Sequence, residues 1–198
     1  MPGAAPLMEN EADEALMLRY AAGDIAAFDT LYLRHEPGVW RYLLRSVRVQ
    51  AVADDLLQDV WFAVARSAAA YQVQARFKTW LFTVAHNRLV DHFRTAKNHL
   101  SLDGDSGDDE GEGRLVDTLA ADSGFGPVRQ LQSREQAAAL IAAIEKLPAQ
   151  QREAFLLQAE AGMSVEEIAS ATDVTFETAK SRLRYARSSL KQWLQEFA

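Results

Sequence analysis

The sequence predicts an all-α fold: two small helical domains joined by a flexible acidic linker, the C-terminal one containing a helix-turn-helix. Three observations carry this expectation. Apolar residues recur at steps of three and four over most of the chain, and no convincing alternating strand appears. Residues 101–123 collect Asp103, Asp105, Asp108, Asp109, Glu110, Glu112, Asp117 and Asp122 against a single Arg114. Residues 164–191 carry two helix-start signals separated by a tight-turn pair.

Residues 1–10 are expected to be a disordered N-terminus, and residues 11–98 the first domain. Gly23 and Asp24 separate a helix near Asp13 to Ala22 from a second that begins about Ile25. Pro37 is expected to kink or restart that second helix. A third segment, about Ala51 to Ser67, would bury Leu56, Leu57, Val60 and Val64 and leave Asp54, Asp55, Gln58, Asp59 and Phe62 on its other side. Carboxylates in its first turns are favoured by the helix dipole, and acids beside an exposed aromatic suit docking of a basic protein partner.

A fourth helix, about Arg76 to Asn98, takes a core stripe from Leu81, Val84, Ala85, Leu89 and Phe93. Its other positions interleave bases with aromatics, which suits a single strand of DNA: charge for the backbone, flat faces for unstacked bases. Phe77, Trp80 and Phe82 suit plain core packing equally well. Tyr71 and the polar loop Gln72, Val73, Gln74 and Ala75 precede this helix, where a loop could read an extruded base.

Residues 99–127 read as the linker. Six glycines between Gly104 and Gly126, like charge and low hydrophobicity leave too little apolar surface to offset the entropy of ordering. Leu115, Val116 and Leu119 form a small apolar island within it, a candidate docking point. The acids of residues 101–123 account for the whole net charge of -7, so the rest of the chain is neutral. Arg76 to Lys97 and Thr175 to Lys191 are each basic, and the low isoelectric point describes the linker alone.

The second domain, residues 128–198, holds the most specific local signal. Ser164 and Glu167 form a capping box, so a short helix should run from Val165 to about Thr172 and bury Ile168 and Ala169. Asp173 and Val174 make the turn, and Thr175 offers a second N-cap. From there Ala179, Leu183, Ala186, Leu190 and Leu194 draw an apolar stripe, with Lys180, Arg184, Arg187 and Lys191 beside it. A helix packed on a small domain and facing DNA phosphates has this pattern, although an ordinary solvated basic face would share the charge stripe.

Composition narrows the rest. Forty-eight per cent hydrophobic residues supply ample core material, and the absence of cysteine excludes disulfides and thiolate metal sites. No apolar run approaches a membrane span, and no basic segment followed by an apolar core opens the chain, so a cytoplasmic protein is expected.

Three stretches now carry a resemblance. Asp-Asp-Leu-Leu-Gln-Asp-Val-Trp (54–61), Arg-Phe-Lys-Thr-Trp-Leu-Phe-Thr-Val-Ala-His-Asn-Arg-Leu-Val-Asp-His-Phe-Arg (76–94) and Thr-Ala-Lys-Ser-Arg-Leu-Arg-Tyr-Ala-Arg (178–187) resemble the extracytoplasmic-function (ECF) sigma factors of bacterial RNA polymerase. The resemblance spans both domains in order. It implies that the first is sigma domain 2 and the second sigma domain 4.

It also implies that Asp54, Asp55, Gln58, Asp59, Trp61 and Phe62 dock core polymerase on the clamp helices of its largest subunit, with the flap region as a further contact. It implies recognition and melting of the −10 element by Tyr71, Gln72, Val73, Gln74, Arg76, Phe77, Lys78, Trp80, Thr83, Asn87, Arg88, Asp91, Arg94 and Lys97. Reading of the −35 element falls to Thr175, Phe176, Glu177, Thr178, Lys180, Ser181, Arg182, Arg184 and Arg187. Promoter DNA, core polymerase and an anti-sigma factor are the implied partners, with no cofactor and no catalysis. The linker would run toward the RNA exit path.

The chain departs from the family pattern at several points. Asp173 stands where glycine is usual, Thr175, Phe176 and Glu177 stand where Pro-x-Gly is frequent, and His86 stands where arginine often contacts phosphate. Two other readings compete. A stand-alone helix-turn-helix regulator would bind its operator without polymerase and would not need Trp80 or Asp59. A metal-dependent hydrolase would use His86, Asp91 and His92 with Asp54 and Asp59, but six-residue spacing puts the two histidines on different helix faces.

Overall fold

In the computed structural model the described residues are 11–102 and 127–195, with side chains described except at 98–102 and 127–134. The expected disordered N-terminus, most of the acidic linker and its apolar island lie outside them. The first domain comprises α1 (Asp13–Ala21), α2 (Ile25–Val47), α3 (Gln50–Ser67), a short 3-10 turn (Ala68–Ala70) and α4 (Phe77–Leu102). The second comprises α5 (Pro127–Lys146), α6 (Ala149–Ala161), α7 (Val165–Ala171) and α8 (Phe176–Gln195).

Local chemistry sets the element ends. Gly23 takes φ 101° after α1, and the Asp24 side chain accepts from the Ala26 amide to start α2. Arg48 closes α2 in the left-handed region without a glycine. Glu14, reaching from α1, caps α4 by accepting the Phe77 amide at 2.6 Å. Gly162 closes α6 at φ 67°.

Pro37 neither breaks nor restarts the second helix, which runs unbroken from Ile25 to Val47. The hydrogen bond that Pro37 cannot make belongs to the carbonyl of Leu33, whose residue is exposed, so water can satisfy it. Burial of Leu31, His35, Val39, Tyr42 and Leu43 on the opposite side holds the helix together.

One cluster of buried apolar residues runs through both domains. In the first, Leu16, Leu31, Leu43, Leu56, Val60, Phe77 and Leu81 meet between α1, α2, α3 and α4. His35 and Arg34 bind Asp13, each at 2.7 Å, pinning α1 to α2. Burial raises the Asp13 carboxyl, but His35 and Arg34 outweigh it and hold it below its ordinary value. In the second, Ile144, Leu147, Leu157, Ile168, Leu183 and Leu190 pack together. The buried Arg152 ties α6 to the end of α5 by donating to the Glu145 and Leu147 carbonyls.

The two domains touch along α2, α4, α6 and α7. Arg41 of α2 grips Glu160 of α6 with Nε at 3.0 Å and Nη2 at 2.7 Å, a two-pronged pair. His86 Nδ1 lies 2.8 Å from Glu153 Oε1, and Arg48 donates to the Glu145 carbonyl.

Candidate nucleic-acid and polymerase interfaces

The helix-turn-helix forms as its local signals require. Ser164 Oγ accepts the Glu167 amide at 3.2 Å while Glu167 Oε2 accepts the Ser164 amide at 2.7 Å. Asp173 takes φ 51°, the left-handed geometry that a glycine would adopt without strain. The Val174 amide donates to the Ala169 carbonyl, and its side chain packs against the core inside the angle between the helices. Thr175 Oγ1 caps α8 by accepting the Thr178 amide at 3.2 Å.

On α8, Ala179, Leu183, Ala186 and Leu190 are buried, and Thr175, Phe176, Glu177, Lys180, Arg184 and Arg187 are exposed. Thr178, Ser181 and Arg182 are half-buried along a groove shared with Pro148, Gln150 and Gln151 at the start of α6. Lys180 sits 5.6 Å over the Phe176 ring and 3.6 Å from Glu177. Arg182 donates to Gln150 at 2.9 Å and Arg187 to Gln158 at 2.6 Å. Phe176 and Glu177 therefore shape the approach of Lys180, while two arginines are steadied from α6.

On α4, Arg76, Trp80, Thr83, Asn87, Asp91 and Arg94 follow one another at steps of three and four and share one side of the helix. Trp80 is partly buried, edge-on to Tyr71 with centroids 5.1 Å apart. Asp91 pairs with Arg94 at 2.8 Å and lies 3.9 Å from Arg88, which tempers the charge of this face. Gln72, Val73, Gln74, Lys97 and Asn87 are exposed, and Lys78 is half-buried.

Some expected contact residues lie in the core instead. Phe77 is fully buried between His35, Tyr71 and Trp80, so no strand can reach it in this conformation. Tyr71 turns inward with its hydroxyl unpartnered among the described residues, and burial followed by the charges of Glu14 and Asp13 raises its pKa. Trp61 is 5% exposed against Phe28 and Tyr32, which leaves Phe62, 63% exposed, as the aromatic at the α3 surface. Asp55, Gln58 and Asp59 are exposed beside Phe62, whereas Asp54 accepts the Trp40 indole N–H at 2.8 Å and serves the α2–α3 contact.

Sequence reasoning missed the side of α4 that faces the second domain. There Glu167 accepts from Thr79 at 2.8 Å and from Arg76 at 3.0 Å, beyond its capping role. Burial raises its carboxyl, but the Ser164 amide, Thr79 and Arg76 together bring it below its ordinary value. The signal was present as the seven-residue spacing of Glu153, Glu160 and Glu167. His86, expected to meet phosphate, is bound to this row. The hydrolase reading loses its ligands with it, since no cluster of three acids or histidines that could hold a metal forms among the described residues.

Exposed helix-turn-helix and basic helical faces define a two-domain DNA-binding protein. The Sigma-70 region 2 family matches residues 31–99, and the Sigma-70 region 4 family matches residues 137–190. The RNA polymerase sigma factor CarQ of Myxococcus xanthus is 31% identical over 180 residues, covering 91% of this chain and 96% of that protein. The ECF RNA polymerase sigma factor SigM of Mycobacterium tuberculosis is 29% identical, covering 92% of this chain and 84% of its own. The solved structure of CnrH in complex with the cytosolic domain of CnrY has the same fold, with TM-score 0.62 at 22% identity over 95% of this chain and 100% of that one. The sigma factor RpoE of Bartonella quintana, solved with the anti-sigma factor NepR, has TM-score 0.60 at 22% identity, over 85% of this chain and 96% of that one. The chain belongs to the ECF sigma factors of bacterial RNA polymerase. Its function is promoter-specific transcription initiation, not that of a stand-alone regulator.

Proposed function

We propose that the three exposed faces divide the work of initiation. Asp55, Gln58, Asp59 and Phe62 on α3 dock the clamp helices of core polymerase. The α4 side bearing Arg76, Trp80, Thr83, Asn87 and Arg94, with the loop from Gln72 to Ala75, captures the opened −10 strand. The exposed start of α8, including Lys180 and Arg184, enters the major groove at the −35 element. The observation that carries this reading is the surface arrangement itself: an acidic face with one bare aromatic, and two basic faces on separate domains.

Domain 2 spans residues 11–98 and domain 4 residues 128–198 in this reading, and the tether between them turns two weak contacts into one specific one through effective concentration. The chain performs no bond chemistry itself. It works in the cytoplasm beside polymerase; among the described residues no helix is long and apolar enough to cross a membrane. An anti-sigma factor is its expected regulator, by analogy with the CnrY and NepR complexes of its structural relatives.

The test is run-off transcription with bacterial core polymerase on a pool of promoter fragments, with and without the protein. Specific starts that require the protein, and that vanish with Asp59→Arg while the variant stays folded and binds DNA through α8, are the expected result. Starts that survive Asp59→Arg overturn the docking face.

A further inference from the structure

The first turns of α8 expose a single large apolar side chain among polar ones. Of residues 176–182, Ala179 is buried, Thr178, Ser181 and Arg182 are half-buried, and Phe176, Glu177 and Lys180 are exposed. Phe176 is 40% exposed and takes no part in the apolar cluster, so the ring is not there to fill the core. Lys180 Nζ lies 5.6 Å from the ring centroid and 3.6 Å from Glu177 Oε1, and its ammonium thus bridges ring and carboxylate. That contact steadies the ring, and an aromatic side chain has only two torsions to fix when it binds.

Charge decides where such a surface can lie on DNA. Glu177 is repelled by phosphate, and its pairing with Lys180 leaves the side chains of the first turn without net charge. Arg184, one turn beyond Lys180, and Arg187 are exposed and keep their charge for the backbone. The start of α8 therefore suits base edges rather than phosphates, which is how the first residues of a recognition helix meet the major groove. Base edges there present donors and acceptors to polar groups and one apolar group, the 5-methyl of thymine.

We propose that Phe176 reads the 5-methyl group of a thymine in the −35 element, with Lys180 holding the ring over the groove. This rests on the assignment of α8 as the −35 reader and names a base feature that α8 selects. Cytosine at the same place offers no methyl group. Uracil pairs as thymine does and offers none either. Phe176 thus contributes sequence preference through apolar contact, while Arg184 contributes affinity whatever the sequence.

The test uses holoenzyme assembled from bacterial core polymerase and the full-length chain, on a promoter fragment recovered by its protein-dependent start. Each thymine of the −35 element, on either strand, is replaced in turn by uracil, which removes a methyl group and keeps base pairing. Modified and unmodified templates giving transcripts of different length compete in one run-off reaction, so the product ratio does not depend on a variant's overall activity. Burial of one methyl group is worth about fourfold, and at one position uracil should lower the parent's ratio by about that factor. Phe176→Ala and Phe176→Gln should bring the ratio at that position back to unity, and Phe176→Leu should keep part of the effect. Arg184→Ala should weaken both templates alike and leave the ratio as in the parent.

A −35 element without thymine, a parent indifferent to every uracil, or equal sensitivity in the parent and Phe176→Ala overturns the proposal. Failure of the underlying assignment looks different. Starts that ignore every base-pair replacement in the −35 element, and that are unchanged by Arg184→Ala, would remove α8 from that element altogether.

Discussion

Asp173 holds the turn of the helix-turn-helix at φ 51°, where an L-residue is strained and a short polar side chain is the least costly non-glycine choice. Asp173→Gly is therefore expected to match or raise stability, and Asp173→Val to lower it by about 1–2 kcal/mol, as a β-branched residue cannot settle in the left-handed region. Thermal denaturation of the full chain decides this, and identical melting of the two variants would mean that the turn relaxes elsewhere. At this scale the sequence was informative wherever a residue acts on its neighbours. Ser164, Glu167, Asp173 and Thr175 all do what their spacing announces. It did not name Arg76 and Thr79 as the partners of Glu167, because they lie 91 and 88 residues away and the seven-residue spacing of the glutamates marks a face without saying what meets it.

Each functional helix divides its residues between a buried stripe and a working face, and the two can be tested apart. On α8, Leu183 is 3% exposed and Arg184 follows it on the open side. Leu183→Ala should cost about 2–5 kcal/mol and lose DNA binding through unfolding. Arg184→Ala should leave the melting temperature unchanged, weaken binding to −35 duplex, and reduce the salt dependence of binding by about one phosphate contact. Denaturation paired with duplex binding across a salt series checks both, and an Arg184→Ala salt slope equal to the parent's would remove that side chain from the DNA. The helical stripes were legible because a period near 3.6 is written locally. Trp61 beside Phe62 shows what was not: adjacent aromatics project about 100° apart on a helix, and the packing of Phe28 and Tyr32 selects which one is buried. Pro37 likewise sits inside a helix whose buried side outweighs one missing hydrogen bond.

For the whole molecule, the contact between domains joins the polar pairs Arg41–Glu160, Arg76–Glu167 and His86–Glu153 to a single cluster of buried apolar residues that runs through both domains. Salt screens only the charged part of this contact, since the Debye length falls from about 10 Å at 0.1 M salt to about 3 Å at 1 M, and leaves the apolar part in place. Heat should therefore unfold the chain in one coupled transition at low and at high salt. The variant carrying Gln at positions 153, 160 and 167 should melt at a lower temperature but still in one transition. Scanning calorimetry checks both. Two transitions, one for each domain, at high salt or in the variant would mean that the polar pairs, not the shared apolar cluster, hold the domains together.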